Sequence, residues 1–255
     1  MRAIRRSALA CGLLCVVSGC ASQHVTVPLM PPLIPQALPI VLWEEGFEEL
    51  HPDRWQAVEV HRRTDYSAVE LDGRSCLRAH SHNGGSILLT PVSFDPDTFE
   101  WFSWSWRVDR LVQGEALQRK DGSDASARVY VYFDTGGVPW QKRNIDYVWS
   151  ATLPAGTILE SAFSSNSKII VVESGSGSLG QWRSVERNLQ DDYERCFGNG
   201  RLPKVIAIGI MTDTDNTGGE ALAYFDDLRI GRLPAEASLP AGQAGAQAGL
   251  PGPRR

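Results

Sequence analysis

Two aspartates and an asparagine stand close together near the end of the sequence, where their types could bind a cation or a polar ligand. The segment from Gly209 to Gly219 carries Asp213, Asp215 and Asn216. Hard oxygen ligands in a flexible loop suit Ca²⁺, although the spacing is not that of an EF-hand. Asx side chains also satisfy backbone donors in turns. A ligand-binding loop and a structural turn therefore remain alternative interpretations.

A second set of polar side chains alternates along one predicted strand. Arg128, Tyr130 and Tyr132 share one face, and Val129, Val131 and Phe133 share the other. Aromatic and arginine side chains on a sheet face can stack on sugar rings and bind hydroxyl groups. Trp149 and Arg187 are further candidates for this ligand-binding surface, with Asp124 and Asp146 as companions. The alternative is an ordinary sandwich exterior, because register alone decides which face is inward.

Signatures of catalysis are sparse. The sequence has no nucleophile elbow, P-loop or dinucleotide fingerprint. His80 and His82 have a spacing that could hold a metal, but no third ligand follows nearby, so two exposed histidines are the favoured interpretation. Cys76 and Cys196 could pair in an oxidising compartment or remain buried thiols. A catalytic role is left uncertain, leaning towards none.

The elements that must position these residues are strands. Period-two alternation recurs at 75–79, 101–108, 128–133, 145–149, 169–172, 205–211 and 221–230, and only 189–197 has a helical pattern. Short strands separated by Gly- and Asn-rich turns predict an all-β fold, an antiparallel β-sandwich of jelly-roll type with galactose-binding-like or concanavalin-like architecture and little helix. Residues 40–232 form this domain, and 233–255 are predicted to be a disordered low-complexity tail.

The first twenty residues predict that the protein is located in the bacterial cell envelope. Arg2, Arg5 and Arg6 precede a short apolar stretch, and residues 17–20, Val-Ser-Gly-Cys, resemble the bacterial lipobox. We expect residues 1–19 to be a signal peptide, Cys20 to carry lipid, and residues 20–39 to form a Pro-rich stalk. Ala21 favours the outer membrane, facing the periplasm. The net charge of −5 argues against a nucleic-acid partner.

The two ends of the predicted domain resemble those of jelly-roll carbohydrate-binding modules. Residues 43–48, Trp-Glu-Glu-Gly-Phe-Glu, and 223–230, Ala-Tyr-Phe-Asp-Asp-Leu-Arg-Ile, match their opening and closing segments. In those modules the first and last strands lie side by side and hold a structural Ca²⁺. The resemblance implies that Glu48 and Asp227 are calcium ligands here. The alternative is that both acids are solvated at strand ends.

Longer segments are similar to a bacterial envelope family of unknown function, DUF3047. These are 124–133, 146–149, 184–188, 192–198 and 208–218, which extend the resemblance over about residues 43–230. The resemblance implies a domain boundary and a sandwich fold, but no activity.

The sequence therefore predicts a lipid-anchored protein whose non-catalytic sandwich binds glycan or another envelope polymer. The first alternative is a polysaccharide hydrolase or lyase on the same scaffold, and the second is a structural partner in an envelope complex. A groove that brings Arg128, Tyr130, Tyr132 and Arg187 together with an acid of raised pKa would favour the enzyme. Oligomeric state is not predicted.

Overall fold

A computed structural model describes residues 38–138 and 141–234 of the chain. The predicted signal peptide, Cys20 and most of the predicted stalk and tail lie outside these residues. The described part contains thirteen strands and one α-helix, α1, at Leu189–Phe197. Within the described residues, no helix has the length and apolar character needed to cross a membrane.

Six strands form the first sheet. Five of them follow the order β11, β6, β13, β4, β3, and β1 pairs with β13 beyond the end of β4. Their bounds are β1 Ile40–Glu45, β3 Asp65–Leu71, β4 Arg74–His82, β6 Trp101–Arg110, β11 Arg183–Asn188 and β13 Glu220–Arg232. The first and last strands are therefore antiparallel neighbours, as the resemblance to carbohydrate-binding modules implied.

Seven strands form the second sheet, in the order β2, β5, β12, β7, β8, β10, β9. Their bounds are β2 Gln56–His61, β5 Gly85–Phe94, β7 Ala127–Phe133, β8 Arg143–Ser150, β9 Ile158–Ser161, β10 Ser164–Ser174 and β12 Val205–Met211. The expectation of antiparallel pairing holds except between β8 and β10, which are parallel. The chain leaves β8, forms β9 at the sheet edge, and returns as β10 between them, so β10 has the direction of β8.

The core lies between the two sheets and is rich in aromatic side chains. The first sheet contributes Trp104 and Trp106 from β6, and the second contributes Tyr147 and Trp149 from β8. Ring centroids of Trp104 and Tyr147 are 5.1 Å apart, and those of Trp106 and Trp149 are 6.0 Å apart. Such pairs stabilise a fold by about 1 kcal/mol each beyond the burial of their area. The all-β sandwich predicted from alternation is confirmed.

Alternation along β7 determines which side chains leave this core. Val129, Val131 and Phe133 are fully buried between the sheets, so Arg128, Tyr130 and Tyr132 lie on the outer face of the seven-stranded sheet. The question of which face is inward is thereby decided.

The cysteines and histidines have structural positions. Cys76 on β4 and Cys196 on α1 are free thiols, as in the second interpretation of the pair, but only Cys76 is fully buried, and Cys196 is half-buried. His80 Nε2 lies 2.7 Å from Glu220 Oε1 on the neighbouring strand. His82 is exposed at the end of β4. The two imidazoles therefore have the polar surroundings of ordinary surface side chains.

Candidate functional site

A cavity of about 200 Å³ lies on the outer face of the seven-stranded sheet, and we call it the outer-face cavity. Strand β7 lies between β12 and β8, so residues distant in sequence meet there. The charged side chains that line the cavity are Arg128, Asp146, Asp213 and Asp215. The other polar side chains that line it are Ser123, Tyr130, Ser161, Ser167 and Asn216. The apolar side chains that line it are Val60, Ile87, Phe163 and Met211. The structure thus unites the predicted loop with the predicted aromatic and arginine face.

Arg128 is at the buried base of this site, with only 4% of its side chain exposed. Its Nε donates to Asp213 Oδ1 at 2.9 Å, its Nη1 donates to Asp146 Oδ2, and its Nη2 donates to Ser123 O at 2.7 Å. A buried charge is tolerated when it is paired and hydrogen-bonded. The positive charge of the guanidinium therefore stabilises the ionised forms of two carboxyl groups, which burial alone would disfavour.

The two carboxyl groups on Arg128 hold protons more tightly than ordinary aspartates do. The pKa of Asp213 is raised to about 7, mainly by burial and in part by the charge of Asp124, while Arg128 opposes both effects. Burial likewise raises the pKa of Asp146 to about 6, against the opposing effect of Arg128. Asp146 Oδ1 is buried and has no hydrogen-bond partner among the described residues. The site therefore contains an acceptor that needs a donor.

The loop after β12 is held in place by aspartate side chains. Asp124 Oδ1 and Oδ2 accept from the backbone N–H groups of Asn216 at 3.1 Å and Thr217 at 2.7 Å. Asp213 Oδ1 accepts from Ala125 N at 2.9 Å. Side-chain bonds to backbone N–H groups of this kind are what the structural-turn interpretation predicts. Oxygens of Asp124, Asp213 and Asp215 also lie within 4.8 Å of one another, the arrangement that a metal site requires.

Aromatic and apolar side chains surround this polar base. The rings of Tyr130 and Tyr132 stack with centroids 5.8 Å apart and an interplanar angle of 25°. Phe163, in the turn between β9 and β10, is 57% exposed, and Val60 on the edge strand β2 is 60% exposed. Both line the cavity, so an apolar rim borders a charged base. Such a mixture of apolar walls and a few convergent polar groups is typical of ligand sites.

Two of the predicted ligand-binding residues lie elsewhere. Trp149 is fully buried in the core, where its Nε1 donates to Gly175 O at 3.0 Å, because it shares the inward face of β8 with Tyr147. Arg187 belongs to β11 of the other sheet and donates from Nε to Asp192 Oδ2 at 2.7 Å. The predictions that these two side chains join Arg128 at the ligand surface are wrong.

The chain-end residues also differ from expectation. Regular strand alternation from Phe225, which faces the core, would turn Asp226 outward and Asp227 inward. Instead Asp226 is buried, and Asp227 is half-exposed with a backbone φ of 53°. A register shift between Asp226 and Arg229 produces this reversal.

The Asp227 carboxylate pairs with two arginine side chains. It accepts from Arg74 Nη2 and from Arg229 Nη2, the latter at 2.7 Å. Glu48 is exposed, and the two guanidinium groups already supply the positive charge that a cation would bring. These surroundings do not favour a cation, and calcium at Glu48 and Asp227 stays a prediction, which a variant described below tests.

Sequence reasoning missed the walls of the site. Phe163 and Val60 carry no motif, and only strand order brings them to β7. Asp146 was noted only as a companion of the aromatic face, yet its pairing with Arg128 follows from the register that aligns Tyr130 with Asp146. A cross-strand search for a carboxylate one pair away from Arg128 would have found it.

Several solved structures are similar to this chain at low sequence identity. A family 30 carbohydrate-binding module shares 14% identity, with 82% of this chain and 90% of that chain covered and a TM-score of 0.37. The CBM22-1 xylan-binding domain of Xyn10C from Paenibacillus barcinonensis shares 15% identity over 77% and 97% of the two chains, with a TM-score of 0.36. The xyloglucanase domain of NopAA from Sinorhizobium fredii shares 9% identity over 71% and 95%, with a TM-score of 0.41.

A search among curated proteins finds no match. A family model described as a protein of unknown function, DUF3047, matches residues 53–229, which include every strand of the seven-stranded sheet and all residues of the outer-face cavity. The chain belongs to the DUF3047 family.

Proposed function

We propose that the outer-face cavity and the stacked Tyr130–Tyr132 pair bind a glycan or a similar polymer of the bacterial envelope. The observation that carries the proposal is the stacked tyrosine pair beside a base of carboxylates. Aromatic rings pack against the C–H faces of sugars, and carboxylate oxygens accept hydrogen bonds from hydroxyl groups. Asp146 Oδ1, which lacks a donor among the described residues, is the acceptor best suited to a ligand hydroxyl.

The size of the cavity limits how the ligand would bind. Its volume of about 200 Å³ is below the roughly 300 Å³ at which pockets begin to enclose a small molecule. A single sugar-sized group fits this space, and the rest of a chain would lie across the sheet. Val60 and Phe163, both mostly exposed, would contact that chain on either side.

The proposed function includes a lipid anchor at Cys20 and an outer-membrane location facing the periplasm. Its support is the lipobox-like Val-Ser-Gly-Cys and the Pro-rich segment after it, which together fit a tether with a spacer. Metabolic labelling with a fatty-acid analogue should mark the wild-type chain but not Cys20→Ala. A wild-type chain without label would contradict the anchor and would leave ligand binding unaffected.

Glycan binding is tested on an array of bacterial envelope glycans with the full chain purified in detergent. We expect the wild type to bind a subset of the array, and Tyr130→Ala to lose at least about tenfold in affinity, or 1.4 kcal/mol. Tyr224→Ala is the matched control, because Tyr224 is a tyrosine on the outer face of the other sheet, beneath Arg107. Equal binding by wild type and Tyr130→Ala, or no binding at all, would refute the proposal.

Hydrolysis of a polysaccharide is the second candidate, favoured by one observation. The pKa of Asp213, raised by burial to about 7, is that of a general acid active at neutral pH, and Asp146 lines the same cavity. A reducing-sugar assay on the glycans that bind would detect hydrolysis. Product formation that disappears in Asp213→Asn favours the enzyme, whereas binding without product favours the first proposal.

A further inference from the structure

The outer-face cavity contains more negative than positive charge. Asp146 and Asp213 line it and are more than nine-tenths buried, and Asp215 lines it and is half-buried. The buried Asp124 does not line the cavity, but its carboxylate offers an oxygen within 4.8 Å of oxygens of Asp213 and Asp215. Arg128 is the guanidinium that contacts this group, and the exposed His61 opposes the rise in the pKa of Asp215 that burial causes. Four carboxylates against one guanidinium leave a surplus of negative charge in a place of low dielectric constant. Such a surplus requires bound protons or a cation.

The free oxygen atoms in the cavity point to a cation. Asp146 Oδ1 is buried without a partner among the described residues, on a side chain only 2% exposed. In the same part of the chain, Asp213 accepts hydrogen bonds only at Oδ1, and Asp215 accepts only at Oδ2, from Asn216 Nδ2. One oxygen of each of these three carboxylates is therefore available to another ligand. Both oxygens of Asp124 already accept one backbone N–H each, so Asp124 would bind a ligand through a second lone pair. A proton would neutralise one of these groups, whereas a divalent cation would interact with several.

The backbone next to the cluster leaves room for Asp215. Gly85, at the start of β5, is buried against this carboxylate. A Cβ atom at that position would lie 2.6 Å from Asp215 Oδ1 and 3.3 Å from Asp213 Cβ. Any larger residue would thus displace Asp215 from the cluster, and glycine permits the close approach.

We propose that Asp124, Asp213 and Asp215 bind a divalent cation, Ca²⁺, on the side of the outer-face cavity that Asp213 and Asp215 line. Their ligand oxygens lie within 4.8 Å of one another, a span that one ion can bridge with bonds of roughly 2.3–2.6 Å. Ca²⁺ fits better than Mg²⁺ because it accepts many oxygen ligands in irregular geometry. Arg128 acts as a positioning residue, since it holds Asp213 at Oδ1 and leaves Oδ2 without a hydrogen-bond partner among the described residues.

This site is separate from the one that the resemblance implied at Glu48 and Asp227, and it does not depend on glycan binding. Without a glycan, water bound to the cation would be the donor that Asp146 Oδ1 lacks, and a ligand hydroxyl would replace this water when a glycan binds. The ion would also fix the loop that holds Asn216 and Thr217, whose backbone N–H groups already bind Asp124. Ordering of this loop would preform the polar side of the cavity.

The test uses the full chain in detergent, stripped with EDTA and titrated calorimetrically with CaCl₂ alone. We expect one Ca²⁺ per chain, and a melting temperature raised by about 5–10 °C at one hundred times the dissociation constant. Asp215→Asn should weaken Ca²⁺ binding at least about tenfold, because it removes a ligand charge. Asp227→Asn is the matched control at the chain ends and should bind Ca²⁺ like the wild type.

Two results would overturn the proposal. One is a wild-type chain that gives neither binding heat nor a melting shift. The other is Ca²⁺ binding that survives Asp215→Asn and is lost in Asp227→Asn, which would place the ion at the chain ends. If Asp215→Asn does not fold by circular dichroism, a crystal structure of the wild type grown with CaCl₂ decides: an ion among Asp124, Asp213 and Asp215 supports the site, and its absence there refutes it.

Discussion

Removal of the Arg128 side-chain charge should destabilise the protein strongly and in a pH-dependent manner. In Arg128→Met the carboxylates of Asp146 and Asp213 lose their common partner, and Ser123 O loses a donor at 2.7 Å. Loss of one member of a buried ion network costs about 3–5 kcal/mol of unfolding free energy. For a domain of this size, that corresponds to a fall in melting temperature of about 10 °C or more.

The pH dependence separates this explanation from simple loss of packing. Without Arg128, both carboxyl groups hold protons more tightly than in the wild type, where their pKa values are already raised to about 6 and about 7. At pH 4.5 both groups are protonated in the variant, so only the lost hydrogen bonds should remain, about 1–2 kcal/mol. The destabilisation should therefore be much larger at pH 7 than at pH 4.5.

Urea unfolding of EDTA-treated protein, followed by tryptophan fluorescence, measures both quantities. Arg183→Met is the matched control, because Arg183 is a half-exposed arginine on a strand and pairs with Glu173 at 3.0 Å. An exposed pair of this kind contributes about 0–1 kcal/mol. A loss below about 1 kcal/mol for Arg128→Met at pH 7, or the same loss at both pH values, would refute the reasoning.

Three further predictions concern the same domain. The wild-type unfolding free energy, measured in EDTA, should fall as pH rises from 3.8, the ordinary aspartate pKa, towards 7. The reason is that folded Asp146 and Asp213 retain protons that the unfolded chain releases. A flat profile, or the same profile in Asp146→Asn, would contradict this prediction. Gly85→Ala should cost about 1–3 kcal/mol by thermal melting and weaken Ca²⁺ binding, whereas unchanged binding would show that no close approach occurs. Glu45→Ala should lower the unfolding free energy by about 1–3 kcal/mol, because the buried Glu45 carboxylate accepts from Trp55 Nε1 at 2.9 Å and its removal leaves that donor unpaired. A change below about 0.5 kcal/mol would count against this role.

Local pattern was sufficient to predict the strands that build the core. The alternation in 101–108 and 128–133 placed Trp104 and Val131 each on the more apolar face of its strand, and the structure buries both of these faces. Alternation along 145–149 also sets Trp149 on the face of Tyr147 and opposite Asp146, and the structure buries that face, which is why Trp149 is not a surface ligand. The helical periodicity of 189–197 likewise corresponds to α1. These features depend on near neighbours in sequence, which is why the sequence reveals them.

The alternation of polar and apolar residues does not reveal strand order or local irregularities of a strand. Arg187 has the chemistry of a ligand-binding residue, yet β11 joins β6 in the other sheet, and nothing local to Arg187 encodes that choice. Alternation through β13 fails at Asp226 and Asp227 because the register shifts there. The carboxylate cluster depends on residues 91 positions apart, Asp124 and Asp215, brought together through pairing of β12 with β7. Such contacts follow from topology.

The central claim is that ligands bind at the outer-face cavity, and hydrogen–deuterium exchange of the full chain tests it most directly. Exchange would be compared with and without the glycan that gives the strongest array signal. We predict slower exchange in the loop at 212–217 and in the turn at 161–164, which carry Asp213, Asp215, Asn216 and Phe163. Protection confined to the six-stranded sheet, or no change in either segment, would contradict the account.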